Sequence, residues 1–252
     1  MSEVLPFGVS PEEAVAYYRR KGHRISFSWL DVERGEHAKA FTVAKLMRKD
    51  LLNDVRAAVD AAIENGTTVE EFKRTLTPLL QRQGWWGEQL LRDPMDGETK
   101  AVQLGSPRRL ETIYDTNLRT SYAAGRWEQI QRTKATRPYL RYVAILDRRT
   151  RPQHRAWHGL VLPADDAFWT THFPPNGWHC RCSIQQLNDR DLARYGYAVG
   201  DAPPIEWIPY TNARTGQTRD VPWGIDPGFD YNPGIAGLAH LRALLNSPPS
   251  PN

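Results

Sequence analysis

The sequence predicts an α+β fold, with long helices in the N-terminal half, then a small β-rich domain and a loop-rich C-terminal region. Apolar residues recur at helical spacing through much of the N-terminal half. After Pro138 the segment YLRYVAIL is β-branched and aromatic, which is typical of a strand. Near the C-terminus Pro, Gly and Trp become frequent. These changes divide the chain into residues 1–105, 106–200 and 201–252.

Two helices are expected at the start of the chain. A capping box at Ser10, with Pro11 at the first helical position, predicts a helix that Gly22 can end. A long helix is expected over residues 36–65, with Gly66 after its last turn, because its apolar residues repeat at helical spacing. These apolar residues are Phe41, Ala44, Leu51, Val55, Ala58, Val59, Ala62 and Ile63.

Two more helices are predicted before the change in composition, each with its own cap. Thr68 and Glu71 form a capping box for a helix that contains Pro78, where we expect a kink. After a loop at residues 85–86, the Ser-Pro pair at residues 106–107 begins a longer helix.

The C-terminal half is expected to hold shorter elements. A strand is predicted over residues 139–146, within a compact β-rich unit that covers residues 139–187. Asn188 caps a short helix that ends at Gly196. Residues 202–237 are rich in Pro, Gly and Trp, so we interpret them as ordered loop packed through aromatic side chains.

Composition excludes several classes of protein. The net charge is +4 and the isoelectric point about 9.1, which favours nucleic acid or acidic partners. No run of apolar residues is long enough to cross a membrane, and the first residues lack the features of a secretory signal. Cys180 and Cys182 are too close in sequence for an unstrained disulfide, so we expect synthesis in a reducing compartment.

Histidines and cysteines cluster between residues 147 and 182. His154 and His158 are four residues apart and share a face of any helical turn. In an extended segment Cys180 and Cys182 point to the same side. Two imidazoles and two thiolates suit a closed tetrahedral zinc site, although Cys-x-Cys is not the usual finger spacing. The alternative is a polar core in which the cysteines are small buried apolar residues.

A block of basic residues overlaps this cluster. Its members are Arg132, Lys134, Arg137, Arg141, Arg148, Arg149, Arg151 and Arg155. Such a block can contact phosphates, and Arg148, Arg149 and Arg151 are the candidate DNA-binding residues. Alternatively it is a solvated face, or its arginines pair with acids such as Asp165 and Asp166.

Three segments, DRRTRPQHRAWHG, PPNGWHCRC and PWGIDPGFDYNPG, give the sequence a resemblance to the phage Mu F-like minor head proteins, or head morphogenesis proteins. The helical segment YDTNLRTSYAAGRW is also similar to that family, and the resemblance covers roughly residues 107–234. The matching residues are Asp147, Arg149, Thr150, His154, Gly159, Pro174, Pro175, Cys180, Arg181 and Cys182. Of these, Asp147, Thr150, Gly159 and Arg181 are interpreted as a structural motif. Upstream of Trp86 no family motif is recognised.

The resemblance also bears on the metal. Some relatives carry Cys where this chain has His154, as expected of a metal ligand. Some have a histidine three residues before the first cysteine, where this chain has Gly177. The expected zinc ligands are therefore His154, Cys180 and Cys182, with His158 or His179 as the fourth.

The function that the resemblance implies is structural. Such proteins act in head morphogenesis, associate with the portal protein and other head proteins, and influence the packaging or release of double-stranded DNA. We therefore expect a protein of the virion, at the capsid interior or portal vertex, assembled in the host cytoplasm, with no enzymatic activity, no small-molecule substrate and no membrane.

Two alternatives remain open. The first is a metal-dependent hydrolase or nuclease that uses the same ligands, with Asp147 or Asp166 as general base. The second is a non-specific DNA-binding module, which would fold alone and bind DNA in a strongly salt-dependent manner.

Overall fold

The computed structural model describes residues 11–246, and within them it has eight α-helices that are longest in the N-terminal half. These are α1 (Pro11–Arg19), α2 (Glu36–Lys39), α3 (Lys49–Asn65), α4 (Val69–Arg82), α5 (Pro107–Thr133), α6 (Pro152–Ala156), α7 (Asp189–Tyr195) and α8 (Pro233–Asn246). Short 3₁₀ turns lie at Trp29–Asp31 and Ala167–Thr170. Ser10, the first predicted cap, lies outside the described residues.

The strands of this part of the chain form small, separate sheets. They are β1 (Gly22–His23), β2 (Ala40–Phe41), β3 (Glu88–Arg92), β4 (Thr99–Gln103), β5 (Tyr139–Val143), β6 (Val161–Pro163), β7 (Ser183–Leu187), β8 (Trp207–Thr211) and β9 (Thr218–Pro222). β1 and β2 are parallel, β3–β4 and β8–β9 are antiparallel hairpins, and β6–β5–β7 is a three-stranded antiparallel sheet. The predicted α+β class is confirmed.

The N-terminal helices pack around one apolar core. The α3 residues that face it are Leu51, Leu52, Val55, Val59, Ala62 and Ile63, and all are buried. Phe72, Leu76 and Leu80 from α4 and Leu110 and Leu118 from α5 complete it. Burial of each leucine or isoleucine contributes about 1.5–3 kcal/mol, so this core is the main source of stability of the N-terminal half.

The prediction of one helix over residues 36–65 is wrong. The chain leaves the helix after Lys39, forms β2, and re-enters a helix only at Lys49. Lys45 has a left-handed backbone (φ 65°), which interrupts any helix. Phe41 matched the helical repeat because it is buried in the same core, where its ring meets Tyr18 at 5.8 Å.

Local capping signals place most of the other helix ends correctly, but α1 ends at Arg19, and Gly22, its predicted end, lies in β1. The Thr68 hydroxyl accepts a hydrogen bond from Glu71 N (3.3 Å), and the Ser106 hydroxyl accepts one from Arg109 N (3.2 Å). α4 continues through Pro78 to Arg82. Asn188 caps α7, which ends at Gly196 in the left-handed conformation.

A second core lies between the C-terminal half of α5 and the three-stranded sheet. It contains Trp127, Ile130, Leu140, Tyr142, Leu162, Phe168, Trp169 and Phe173. The predicted strand over residues 139–146 is shorter in the structure, where β5 ends at Val143. α6, which follows β5, carries His154, and the loop that precedes β7 carries Cys180 and Cys182.

The prediction of loop over residues 202–237 is wrong in part. The structure has the β8–β9 hairpin there, followed by the start of α8. α8 packs closely on α5 and α1. An added Cβ at Gly234 would lie 2.2 Å from the Trp127 side chain, and one at Gly237 would lie 2.7 Å from Tyr17, so only glycine fits at either position. The β3–β4 hairpin was not predicted at all.

Candidate metal centre

Three of the predicted ligands meet in the structure. His154 Nδ1 lies 3.7 Å from the Cys180 sulfur and 3.6 Å from the Cys182 sulfur, and the three donor atoms are all within 4.8 Å of one another. His154 and Cys180 are buried, and Cys182 is partly buried. The cluster joins α6 to the loop that precedes β7.

The hydrogen bond on the other side of the imidazole orients His154. Its Nε2 lies 3.0 Å from the Gly224 carbonyl oxygen, which can only accept, so Nε2 carries the proton. Nδ1 therefore presents its lone pair to both sulfurs. The ring also stacks on Trp157, with centroids 5.3 Å apart. A carbonyl that fixes the tautomer in this way is typical of metal-binding histidines.

The cysteines reach His154 from a tight turn. Cys180 N donates to the Gly177 carbonyl (3.1 Å), and His179 between them has a left-handed backbone (φ 55°). β7 begins only at Ser183, so the two cysteines lie in the preceding loop and not on the strand.

The spacing of the donor atoms fits a tetrahedral zinc ion. Zinc–sulfur bonds of about 2.3 Å and zinc–nitrogen bonds of about 2.0–2.1 Å place the N and S atoms of a tetrahedron about 3.6 Å apart. The observed separations of 3.7 and 3.6 Å match this value. One imidazole and two thiols are also soft donors that suit zinc.

The two thiols do not titrate alike. The hydrogen bond from the Cys182 thiol stabilises a thiolate at Cys180 and lowers the pKa of Cys180 well below that of an ordinary thiol. The same hydrogen bond, together with burial, raises the pKa of Cys182. A lowered pKa favours the thiolate form, which is the form of cysteine that binds a metal.

Neither histidine considered for the fourth position joins the cluster. His158 Nδ1 accepts a hydrogen bond from Ala144 N (3.0 Å), and its Nε2 faces Arg141 (3.5 Å). His179 Nδ1 faces an oxygen of Asp115 at 3.3 Å, and its Nε2 lies 3.3 Å from the Thr112 hydroxyl. These contacts hold both imidazoles away from the cluster, so neither predicted fourth ligand reaches it.

The position where some relatives were expected to have a histidine holds Gly177 for a steric reason. A Cβ there would lie 2.4 Å from an Asp226 oxygen and 2.6 Å from the Arg151 guanidinium. These two side chains form an ion pair at 2.7 Å, and Trp178 N donates to the same carboxylate (2.8 Å). The hydrogen bond from Trp178 N ties the cysteine turn to Asp226 in the loop before α8, and the ion pair ties Arg151 to the same carboxylate.

The structural motif residues hold the loop after β5. Asp147 accepts hydrogen bonds from Arg149 N (2.9 Å), from the Thr150 hydroxyl (3.1 Å) and from Arg181 (2.6 Å), and the Arg181 guanidinium holds the pKa of Asp147 well below its usual range. Gly159 has φ 88° and donates its N–H to the Tyr142 carbonyl (2.9 Å).

The two candidate general bases are both engaged in the fold. Asp147, the first candidate, accepts a hydrogen bond from Arg181, which lies between the two cysteines in the sequence. Asp166, the other candidate, caps the 3₁₀ turn by accepting from Phe168 N (2.8 Å).

The three candidate DNA-binding arginines differ in their surroundings. Arg148 is exposed, and the Arg149 side chain is 75% exposed with only a 3.9 Å contact to Asp147. The Arg151 guanidinium forms an ion pair with Asp226. The block therefore mixes arginines that face solvent with one that is part of the fold.

Sequence reasoning missed Gly224 and Asp226 as parts of the site. Both lie in PWGIDPG, within one of the segments that carry the family resemblance, and no pattern in the sequence connects this segment with the cysteines. Gly224 has φ 90°, and an added Cβ would lie 2.6 Å from Gln153. A glycine two residues before an aspartate in a tryptophan-rich loop was the available signal.

Comparison with known proteins confirms the resemblance. The profile of the family described as Phage Mu protein F like protein matches residues 53–185, which is more than half of the chain. The chain belongs to this family. The match begins within α3, where no motif had been recognised, and it includes all three residues of the cluster.

Two relatives extend the similarity over most of the chain. One is “Putative capsid assembly protein F” of Escherichia phage Mu, 44% identical over 249 residues, which cover 93% of this chain. The other is the Mu-like prophage FluMu F protein of Haemophilus influenzae, 41% identical over 235 residues, or 88% of this chain. The chain spans 56% of the length of each relative.

Two further comparisons give negative findings. No solved structure matches the chain. Within residues 11–246, no helix is both long and apolar enough to cross a lipid bilayer.

Proposed function

We propose that this protein is a minor head protein that takes part in capsid assembly, with the portal protein and other head proteins as its partners. The observation that carries the proposal is the 44% identity to a phage Mu protein whose name includes capsid assembly. In this proposal it resides in the virion and has a structural and not an enzymatic role.

Co-assembly with defined head proteins tests this role. The chain would be co-expressed with the portal and major head proteins of the same phage, and assembled particles would be separated from free subunits by sedimentation. We expect the chain to sediment with particles that contain portal and to co-purify with portal alone. Its absence from particles, together with no binding to either protein, would refute the proposed role.

We further propose that His154, Cys180 and Cys182 bind a structural zinc ion. The donor atoms have zinc-like separations, and the Gly224 carbonyl already orients the imidazole. A metal would link the loop after β5 to the turn before β7. These segments connect the strands of a sheet in which no strand is longer than five residues. A metal would therefore add stability that the small core of this sheet does not supply.

Metal content and thermal stability should change together. Cys182→Ser removes one soft donor and should lower the zinc content of purified protein and its Tm in parallel. Trp157→Phe is the matched control, because it keeps an aromatic ring against His154 and leaves the donors intact. Elemental analysis and thermal unfolding with and without chelator measure both. A metal-free protein that is equally stable in chelator would reduce the cluster to a packed polar core.

Contact with packaged DNA is the last part of the proposal. Arg148 and Arg149 are exposed and can meet phosphates without reading sequence. Replacing both with Gln should reduce the slope of log affinity against log salt by about 2. The control replaces Arg74 and Arg190, which are exposed on α4 and α7, and changes the net charge equally. If both variants show the same salt dependence of DNA affinity, then Arg148 and Arg149 are solvent-exposed residues that do not contact DNA.

A further inference from the structure

A cleft of about 630 Å³ opens directly beside the cluster. His154, Cys180 and Cys182 all line it. Five arginines line it as well: Arg108, Arg119, Arg149, Arg151 and Arg181. A cleft of this size accommodates a small ligand, and its lining is unusually rich in guanidinium groups.

One wall of the cleft is a face of α5. Arg108, Glu111, Asp115 and Arg119 are three or four residues apart and therefore project from one side of the helix. The acids temper the positive charge of this wall, but Asp115 is directed to His179 at 3.3 Å. Arg108 lies at the exposed N-terminal end of the helix, where the helix dipole also favours an anion.

The opposite wall is the loop after β5. Arg151 of this loop and Arg181 of the neighbouring cysteine turn are held by Asp226 and Asp147, at 2.7 and 2.6 Å. Asp147 also accepts from Arg149 N, so the backbone of Arg149 is fixed while its guanidinium remains exposed at the cleft. The exposed guanidinium of Arg149 therefore lies at the cleft together with those of Arg151 and Arg181, which are held in ion pairs.

The donor set leaves one tetrahedral position open. Within residues 11–246 no further His, Cys, Asp or Glu donor joins His154, Cys180 and Cys182. A zinc ion with three protein ligands takes its fourth ligand from outside, as in sites where water or substrate binds. Cys182 is partly exposed, and the cluster lines the cleft, so the open position is accessible from the cleft.

We infer that this cleft is a binding site for a phosphate group, with one phosphate oxygen on the metal and the others facing Arg149 and Arg108. The inference rests on the proposed zinc centre and changes its character from a closed site to an open one. Guanidinium groups form charge-assisted pairs with phosphate, and a zinc ion with an open position accepts an oxygen donor. Free phosphate and a DNA phosphodiester share this chemistry.

Cobalt substitution makes the open position visible. The full chain is loaded with Co²⁺, whose visible bands report its ligands, and inorganic phosphate is titrated into it. We expect a saturable change in these bands. Arg149→Gln should weaken phosphate binding about tenfold, since it removes a charge-assisted hydrogen bond. Arg190→Gln is the control, because this exposed residue of α7 does not line the cleft, and it should leave phosphate binding unchanged.

The outcomes separate the inference from the proposal beneath it. Failure to bind Co²⁺ would overturn the metal centre and the phosphate site with it. Co²⁺ binding with bands that phosphate does not change would overturn the phosphate site alone, as would equal phosphate affinities of Arg149→Gln and Arg190→Gln. A short duplex DNA that produces the same spectral change identifies a phosphodiester as the ligand. If only inorganic phosphate does so, the site is one for free phosphate.

Discussion

Replacing Gly224 with alanine should weaken metal binding although residue 224 is not a ligand. Its carbonyl accepts the His154 Nε2 proton at 3.0 Å and so keeps Nδ1 directed to the sulfurs. At φ 90°, an added Cβ would lie 2.6 Å from the Gln153 Cβ and 3.2 Å from the Trp157 ring. Gln153 and Trp157 both flank His154 on α6 and its C-cap, so the carbonyl and the imidazole must move apart.

The magnitude follows from comparison with a second glycine. Gly196 is also left-handed, at φ 66°, but nothing lies within 4 Å of an added Cβ. Gly196→Ala should therefore cost only the backbone term of about 1–2 kcal/mol. Gly224→Ala adds overpacking of about 1–3 kcal/mol. Loss of the orienting hydrogen bond should also reduce metal affinity by about 10- to 100-fold.

Two measurements separate the backbone strain from the loss of orientation. Denaturant unfolding in the presence of chelator gives the metal-free destabilisation of each variant. Competition with a chromophoric chelator gives the zinc affinity. We expect only Gly224→Ala to lose affinity, while both variants lose stability. If Gly224→Ala binds zinc as tightly as Gly196→Ala does, then the Gly224 carbonyl does not position the His154 ligand.

Two other predictions concern buried polar groups near the cores. Burial lowers the pKa of Lys21 to about 7, so between that pH and about 10 the unfolded chain binds a proton that the folded chain does not. Stability from this residue therefore rises with pH, by at most about 1.4 kcal/mol per pH unit, and Lys21→Met should remove that slope in denaturant unfolding at several pH values. Tyr142→Phe leaves Asn176 Oδ1, now bonded at 2.9 Å, without its donor, and should lower the free energy of unfolding by about 1–3 kcal/mol in the presence of chelator. A wild-type slope in Lys21→Met, or wild-type stability in Tyr142→Phe, would contradict these arguments.

Local signals in the sequence were reliable where the chain satisfies its own backbone. Thr68, Ser106 and Asn188 cap helices as expected, because a cap involves residues only three positions apart. The long-helix prediction over residues 36–65 failed because Phe41 is buried from a strand and not from a helix. Burial produced the periodic pattern there, while the backbone was set by pairing with a distant segment.

The hairpins were missed for a related reason. β3 and β4 alternate between exposed and half-buried residues, so neither strand contains an apolar run. Their register depends on pairs such as Leu90 with Ala101, which no local pattern specifies. Similarly, Pro209 lies within β8 although proline usually argues against a strand. A two-stranded hairpin tolerates it because the strand has a free edge.

The candidate site was predictable in its chemistry but not in its geometry. Soft donors close together in sequence indicated His154, Cys180 and Cys182 as ligands. Helical spacing also selected His158, yet its imidazole accepts from Ala144 N, at the end of the sheet. Four-residue spacing states that two side chains share a face, and it does not state what that face meets.

Connectivity explains why a small centre can affect a large part of the chain. Cys180 lies 26 positions from His154, and the Gly224 carbonyl lies 70 positions from it. A metal that binds only the folded chain stabilises it by its binding free energy, because the unfolded chain rarely holds a preformed site. A bound metal would hold His154 in place and so reinforce the single contact with the Gly224 carbonyl. In the proposed zinc-bound form, the β-rich unit and the loop before α8 are stabilised as one element, while an open fourth position leaves that element responsive to a ligand in the cleft.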